Sequence, residues 1–407
     1  MAACAGVDWA SDTHDVWVAD GDGERLWAET IAHTECGLRK LCRTLVTLGV
    51  ERVAVERPDG LLVERLLDAG LTVLALHPNQ VHAARPRFRP AGGKADRFDA
   101  FVLSELARTD HHRFRVLVPD RDETKALRAL TRGRELLVEQ RVALSNQLRA
   151  ELQRFWPGAI EIFSELDSPI SLAFLERYPS PLDARSLGER RLAQFLARHH
   201  YCGRRGVSEL LDRLRSAPSG RAAQLEADAR RGIVLALVAA LKPIVEQIRL
   251  LTSEIAHAVR THPDGEIFLS LFKDPKSVIC AATLLAEIGD CRARYPTPEH
   301  LAADAGMTPV AVESGKRKVA CFRRGCDHRL RSAFTTLADS TRHWHPWAHR
   351  HYADATARGH DHPKAIRTVG RAWSRVLWQC WQHHTPYDPS RHNALQRQLT
   401  ITIPHTG

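Results

Sequence analysis

AGVDWASDTHDVWVAD, residues 5–20, decides the fold. It reads as a strand, a tight turn and a second strand, with the alternation in VWVAD marking a half-buried element. ERLWAETIAH continues the pattern as a third strand. The discordant residue is Asp8, a carboxylate in mid-strand among apolar neighbours. Burying it is costly unless a cation or another partner meets it.

Downstream, CGLRKLCRTLVTLG has helical spacing, with Leu38, Leu41, Leu45 and Leu48 on one face and Gly49 as a stop. A short apolar strand (RVAVE), a helix (LLVERLLDAG) and another apolar strand (LTVLALHP) come next. Gly92-Gly93 loosens the chain before a helix, KADRFDAFVLSELART. This alternation of strands and helices predicts an α/β sheet. Glu56 ends RVAVE, and ligand sites in such sheets form beyond the carboxyl ends of strands. Asp96 and Asp99 are three apart and share a helix face. Taken singly, a strand-end carboxylate is commonly a cap, and DRFD is commonly a helix start with a favourable dipole. Taken together, Asp8, Glu56, Asp96 and Asp99 make an oxygen-only site suited to Mg2+ (or Mn2+). Two such ions can clamp the attacking and leaving oxygens of a phosphodiester.

From about residue 121 the texture changes. ETKALRALTRGRELLVEQRVALSNQLRAELQRF is Pro-free, and Leu130, Leu137 and Leu144 fall seven apart, as do Leu148 and Phe155, which predicts a coiled-coil-like helix. A second long helix, about 221–261, follows the break SAPSG, and the two can pair as an arm or as an oligomer contact. From about residue 266 the pattern is short helices with turn signals at YPTPEH, DAGMTP, ESGKRK and RRGCDH. From Tyr387 onward the tail is polar and expected to be poorly ordered. No repeat recurs at a fixed period.

The net charge of +10 is localised: Lys316 to Arg375 holds 14 Lys/Arg against 4 Asp/Glu, an excess equal to that of the whole chain. A basic segment interleaved with Trp344, Trp347, Tyr352 and Trp373 suits a polyanion. Arg323, Arg324, Arg329, Arg331, Arg367 and Arg371 are the candidate phosphate contacts. The nine cysteines lack zinc-finger pairing, and no bilayer-spanning run or secretory leader is read, so a cytoplasmic protein with reduced thiols and no membrane partner is expected. The histidines of HWHPWAHRHY lack the glutamate of a metalloprotease motif and read as surface or nucleic-acid-facing.

The order of Asp-strand, Glu-strand and Asp-x-x-Asp helix resembles the RNase H-like nucleases, in particular the RuvC-type resolvases. GVDWAS, AVERPDG and GGKADRFDA, with TLLAEIGD, LAADAGMTPVAVESGK and LRSAF, further resemble the DEDD transposases of the insertion-sequence family known as one-ten, over about residues 5–380. The resemblance implies that Asp8, Glu56, Asp96 and Asp99 bind metal and that Ser314 is a serine nucleophile. It also implies a homodimer or homotetramer in which the carboxylates of one protomer meet the serine of another, on donor and target DNA chosen by a structured guide (bridge) RNA. One stretch departs from the family: LFKDPKSVICAA, with Lys273-Asp274-Pro275-Lys276, replaces a glycine-containing hairpin.

A free serine hydroxyl is a poor nucleophile and needs activation. Ser314 has no His or Asp within helical reach, but Lys316, Arg317 and Lys318 surround it with charge suited to phosphate. The plain alternative makes Ser-Gly a turn between helices. The expected architecture is therefore α/β plus α: an RNase H-like (RuvC-type) domain at 1–119, a coiled-coil-like helical arm at 120–262, a mostly helical serine domain at 263–385 and a polar tail at 386–407. The expected reaction is DNA cleavage and rejoining through phosphoserine. Its rivals are a metal-dependent nuclease or junction resolvase using water, and a non-catalytic nucleic-acid-binding relic.

Overall fold

Alternating apolar residues build the first sheet. A computed structural model describes residues 3–89, 95–218, 220, 223–274, 277–314 and 317–390. They fall into two compact units, Met1–Asp120 and Arg121–Gly407. Gly92-Gly93, Pro275, Lys276, Lys316 and the tail from 391 lie outside the described residues.

In the first unit, strands β1 (Ala3–Trp9), β2 (Thr13–Ala19), β3 (Arg25–Ala32), β4 (Val50–Val55), β5 (Thr72–Ala75) and β6 (Arg115–Val116) form one sheet in the order β3-β2-β1-β4-β5-β6. β1, β4 and β5 run parallel; the other pairings are antiparallel. Helices α1 (Glu35–Thr47) and α2 (Leu61–Asp68) cover one face, where Leu41, Leu45 and Leu66 meet Val7, Val53 and Val55. Each such leucine contributes about 1.5–3 kcal/mol by leaving water. Helices α3 (Pro78–Phe88) and α4 (Asp96–Thr109) cover the other face, where Val102, Leu103 and Leu106 pack on Cys4, Ala54 and Leu74. Gly6 makes that packing possible, since a Cβ there would stand 2.1 Å from Ala100 O and 2.4 Å from Ser104 N. β1 and α4 are thus pressed together at their backbones.

In the second unit, α5 (Asp122–Phe155) and α10 (Gln224–Thr261) run antiparallel within the one chain. Arg134 Nε donates to Thr252 Oγ1 (2.8 Å) and Arg230 Nη1 to Glu151 Oε1 (2.7 Å). Between them lie α6 (Gly158–Glu161), α7 (Pro169–Arg177), α8 (Glu189–Arg198) and α9 (Val207–Ser216), whose core of Phe174, Phe195 and Leu210 joins Leu148, Leu152 and Val238. At the other end of the pair, Leu127, Ile255 and Val259 enter a second core with α11 (Gly265–Leu269), α12 (Val278–Ile288), α13 (Pro298–Asp304), α14 (His328–Trp344), α15 (Pro346–Ala357) and α16 (His362–Gln382). Leu130, Leu137 and Leu144, between those cores, are only half-buried because two helices alone leave an open side.

Three expectations need correction. ESGKRK joins strands, not helices: β7 (Val310–Ser314) and β8 (Arg317–Cys321) pair antiparallel, Ser314 opposite Arg317. Tyr387 belongs to the core, its hydroxyl 2.9 Å from His345 Nε2 and its N–H donating to Ser270 Oγ. His345 is likewise buried rather than surface-facing, and burial pushes its pKa down.

Candidate active site

The register of the first sheet places the acids. Val7 pairs with Val55 on the parallel strands β1 and β4, so Asp8 and Glu56, one residue on, leave neighbouring strands at one level. Strand alternation puts both on the face that α4 covers. Ala100, Leu103 and Ser104 cross Gly6, which sets the preceding turn of α4, with Asp96 and Asp99, over Asp8. Oxygens of Asp8, Asp96 and Asp99 lie within 4.8 Å of one another, with Asp8 half-buried, Asp96 exposed and Asp99 buried. Glu56 stands outside that group of three, near enough for its charge to act on Asp8.

The electrostatics are those of a crowded anion site. Burial, then the charges of Asp99, Glu56, Asp96 and Asp15, push Asp8 up to about 7. Asp99 is relieved differently: Arg85, on α3, donates from Nε and Nη2 to its two oxygens, both at 2.7 Å. The positive end of α4 also favours acids in its first turn. Three hard oxygen donors converging at the end of a sheet fit a divalent cation such as Mg2+ or Mn2+, which would relieve the repulsion on Asp8.

Ser314 ends the exposed strand β7 in the second unit. Among the described residues no acid or histidine bonds its hydroxyl. Arg317 and Lys318 lie on β8, and Lys316 lies outside the described residues. Arg323 Nε donates to Thr308 O (3.1 Å), and Arg324 is exposed just after it. Arg331 and Arg367 hold their guanidinium carbons 4.6 and 4.9 Å from the Phe322 ring centroid. Arg367 and Arg371 line a cavity with Arg323 and Lys364. Arg329 differs, since its charge is taken by Glu135 of α5.

Residues 5–157 match a family model described as a transposase of the DEDD, IS110 type. Residues 277–353 match one described as Transposase IS116/IS110/IS902 family. A mini-circle protein of Streptomyces coelicolor, named as a transposase for IS117, is 31% identical over 404 residues, covering 96% of each chain. The chain belongs to the IS110 family of insertion-sequence transposases. The IS900 42 kDa protein of Mycobacterium paratuberculosis is 28% identical over 95% of this chain and 97% of its own. The IS110 43.6 kDa protein of Streptomyces coelicolor is 27% identical over 94% and 95%.

As an IS110-family transposase, the chain is an enzyme with a DNA substrate and an expected dependence on a divalent metal. An RNase H-like fold follows from membership, and the six-stranded mixed sheet is consistent with it. No helix among the described residues is long and apolar enough to cross a membrane. Three features escape the sequence reading. Arg85 sits in a helix with one buried residue, Val81, and Lys364 and Phe322 carry no pattern of their own. The strand-like alternation flanking Gly315-Lys316 (VAVES and RKVAC) is the signal that could have found the hairpin.

Proposed function

We propose that this transposase cuts and rejoins DNA with Ser314 as nucleophile, while Asp8, Glu56, Asp96 and Asp99 hold Mg2+ or Mn2+. The convergence of Asp8, Asp96 and Asp99 within 4.8 Å carries the reading. When bound, such an ion polarises the scissile phosphate and stabilises its developing charge. Asp8 and Asp99 are set by a strand and a helix locked together at Gly6, and Arg85 orients the Asp99 carboxylate, so the donors need little rearrangement.

Ser314 Oγ attacks phosphorus; the Oγ–P bond forms, the bond from phosphorus to the DNA oxygen breaks, and the serine proton is balanced by the proton gained on the leaving hydroxyl. The reverse attack by a hydroxyl of another strand reseals DNA and frees Ser314. Phosphodiester energy is conserved, so ATP is not needed. Among the described residues no acid or histidine bonds Ser314, and the reading gives its activation to the carboxylates of a second protomer in a homodimer or homotetramer. Lys316, Arg317, Lys318, Arg323, Arg324, Arg331, Arg367 and Arg371 supply phosphate contacts, Arg329 does so only by exchanging Glu135 for phosphate, and a bridge RNA pairs with donor and target. The catalytic domain spans 1–119, the arm 120–262 and the serine domain 263–385, in a cytoplasmic protein.

The test incubates full-length protein with Mg2+, element-end DNA and flank-derived RNA, with products resolved on a denaturing gel before and after protease. A protease-sensitive DNA adduct, lost in Ser314→Ala, is expected. Free ends without an adduct, unchanged in Ser314→Ala, would make it a nuclease that uses water. Binding without cutting would make it a non-catalytic relic.

A further inference from the structure

The open end of the β7–β8 hairpin collects positive charge that the fold does not neutralise. Arg323, Lys364, Arg367 and Arg371 line a cavity of about 430 Å3 together with Thr308 and Phe322. No carboxylate stands in that lining. Among the described residues, none lies within ion-pair distance of those four cations or of Arg331. Several other arginines of the same unit are matched: Arg292 with Asp264, Arg294 with Asp304, Arg342 with Asp339 and Arg375 with Glu299. Like charges gathered around one hollow repel each other, and an anionic occupant relieves that repulsion.

The wall also has a flat element. Phe322 is 48% exposed, and Arg331 and Arg367 lie over its ring. Unstacked bases add to aromatic rings and guanidinium planes in this manner. Thr308 Oγ1 and His360 Nδ1, on residues of the same lining, are buried without a hydrogen-bond partner. Polar atoms left so usually mark a place that a further group completes. Duplex bases are stacked on one another and cannot present a face to Phe322; a single strand can.

We propose that this cavity binds an unstacked nucleotide of a single-stranded nucleic-acid segment, its phosphate on Lys364, Arg367 and Arg371 and its base against the Phe322–arginine layer. The proposal rests on the reading of the chain as a DNA-processing enzyme and adds which surface takes the strand, and in what form. A displaced DNA strand and an RNA loop share this chemistry. The site also carries a register: the pairs Val310–Cys321 and Ser314–Arg317 are four residues apart. That is about 13 Å of strand from cavity to Ser314.

Fluorescence anisotropy with full-length protein tests this, using labelled oligothymidylate, oligouridylate and a blunt duplex of equal length. Phe322→Ala is expected to weaken single-strand binding about tenfold, with duplex affinity unchanged, and Phe322→Trp to retain it. Arg367→Gln is expected to weaken binding and lower the salt slope by about one. Arg198→Gln, exposed on α8, controls for loss of a charge. A larger loss on oligothymidylate identifies DNA as the occupant; a larger loss on oligouridylate identifies RNA. The inference is overturned if Phe322→Ala binds single strands like wild type, or loses single strands and duplex equally. Wild type that binds no nucleic acid at all sinks the broader reading instead.

Discussion

The acid corner of the first unit and the basic hollow of the second both crowd like charges, yet the fold treats them differently. At the acid corner, Arg85 answers Asp99 with two bonds of 2.7 Å, while Asp8 is left to rise to about 7. At the hollow, Arg323, Lys364, Arg367 and Arg371 have no carboxylate in the lining. The first arrangement is partly satisfied and lacks about one cation; the second has no carboxylate in its lining and suits a chain of phosphates. Ionic groups that serve only the fold look different again: Arg292 is matched by the buried Asp264, which His384 also approaches. An unmatched cluster therefore points outward, to what the protein binds.

The sharpest way to break this contrast is Asp8→Asn. Losing one preorganised charged group lowers DNA cleavage by about 10³-fold, measured as the rate of strand cutting in Mg2+. The same variant loses a half-buried charge that burial and neighbouring carboxylates disfavour. Its thermal unfolding without divalent metal is expected to show a gain of about 1–2 kcal/mol. A fall in both activity and stability would show that Asp8 is a structural group. Next in size is Arg292→Gln, which leaves Asp264, 3% exposed, with His384 at 2.9 Å as its ion-pair partner among the described residues. Stranding a buried carboxylate costs about 3–5 kcal/mol, read by denaturant unfolding.

How much of this was legible depends on whether a residue's role is written in its own neighbourhood. β1 to β5 are visible as short apolar or alternating runs between turn signals, and Asp8 is visible as the charged residue inside one of them. That Asp96 and Asp99 meet Asp8 depends on Gly6, whose closeness to Ala100 lies 94 positions along the chain; only the order of acids in a resembling family hinted at it. Arg85 was hidden because PNQVHAARPRF buries only Val81 and contains Pro86, so it has no helical period. The hairpin was hidden for a related reason: all five residues of β7 are exposed, so its alternation marks no core. Tyr387 and His345 meet across 42 positions, the first where a polar tail is read and the second in a histidine-rich stretch read as surface.

A smaller effect comes from a charge that the first unit refuses. His14 is fully buried on β2, its Nε2 2.7 Å from His33 Nδ1, and burial, then the charge of His33, push its pKa down to about 4. The unfolded chain takes up a proton near pH 6.5, the ordinary histidine value, whereas the folded chain resists until about pH 4. Stability is therefore complete above pH 6.5 and falls as pH drops through that window, by about 3 kcal/mol in all. Urea midpoints against pH check it: His14→Gln should flatten this part of the profile, and an unchanged slope would remove His14 as its source.

The smallest effect is the most discriminating, because it sets two arginines of one unit against each other. Arg342 lies 2.7 Å from Asp339, one turn away on α14; Arg371 on α16 faces the hollow without a carboxylate. Neither neutral replacement should move stability by more than about 0.5 kcal/mol, since both sites are near the surface. Their binding should separate them. Arg371→Gln removes a charge that displaces a counterion from DNA, so the slope of log affinity against log salt falls by about one. Arg342→Gln removes a charge already balanced by Asp339 and should leave the slope in place. Equal slopes for the two variants would mean that pairing within the fold does not predict which arginines meet the polyanion, and the contrast between the two regions would lose its basis.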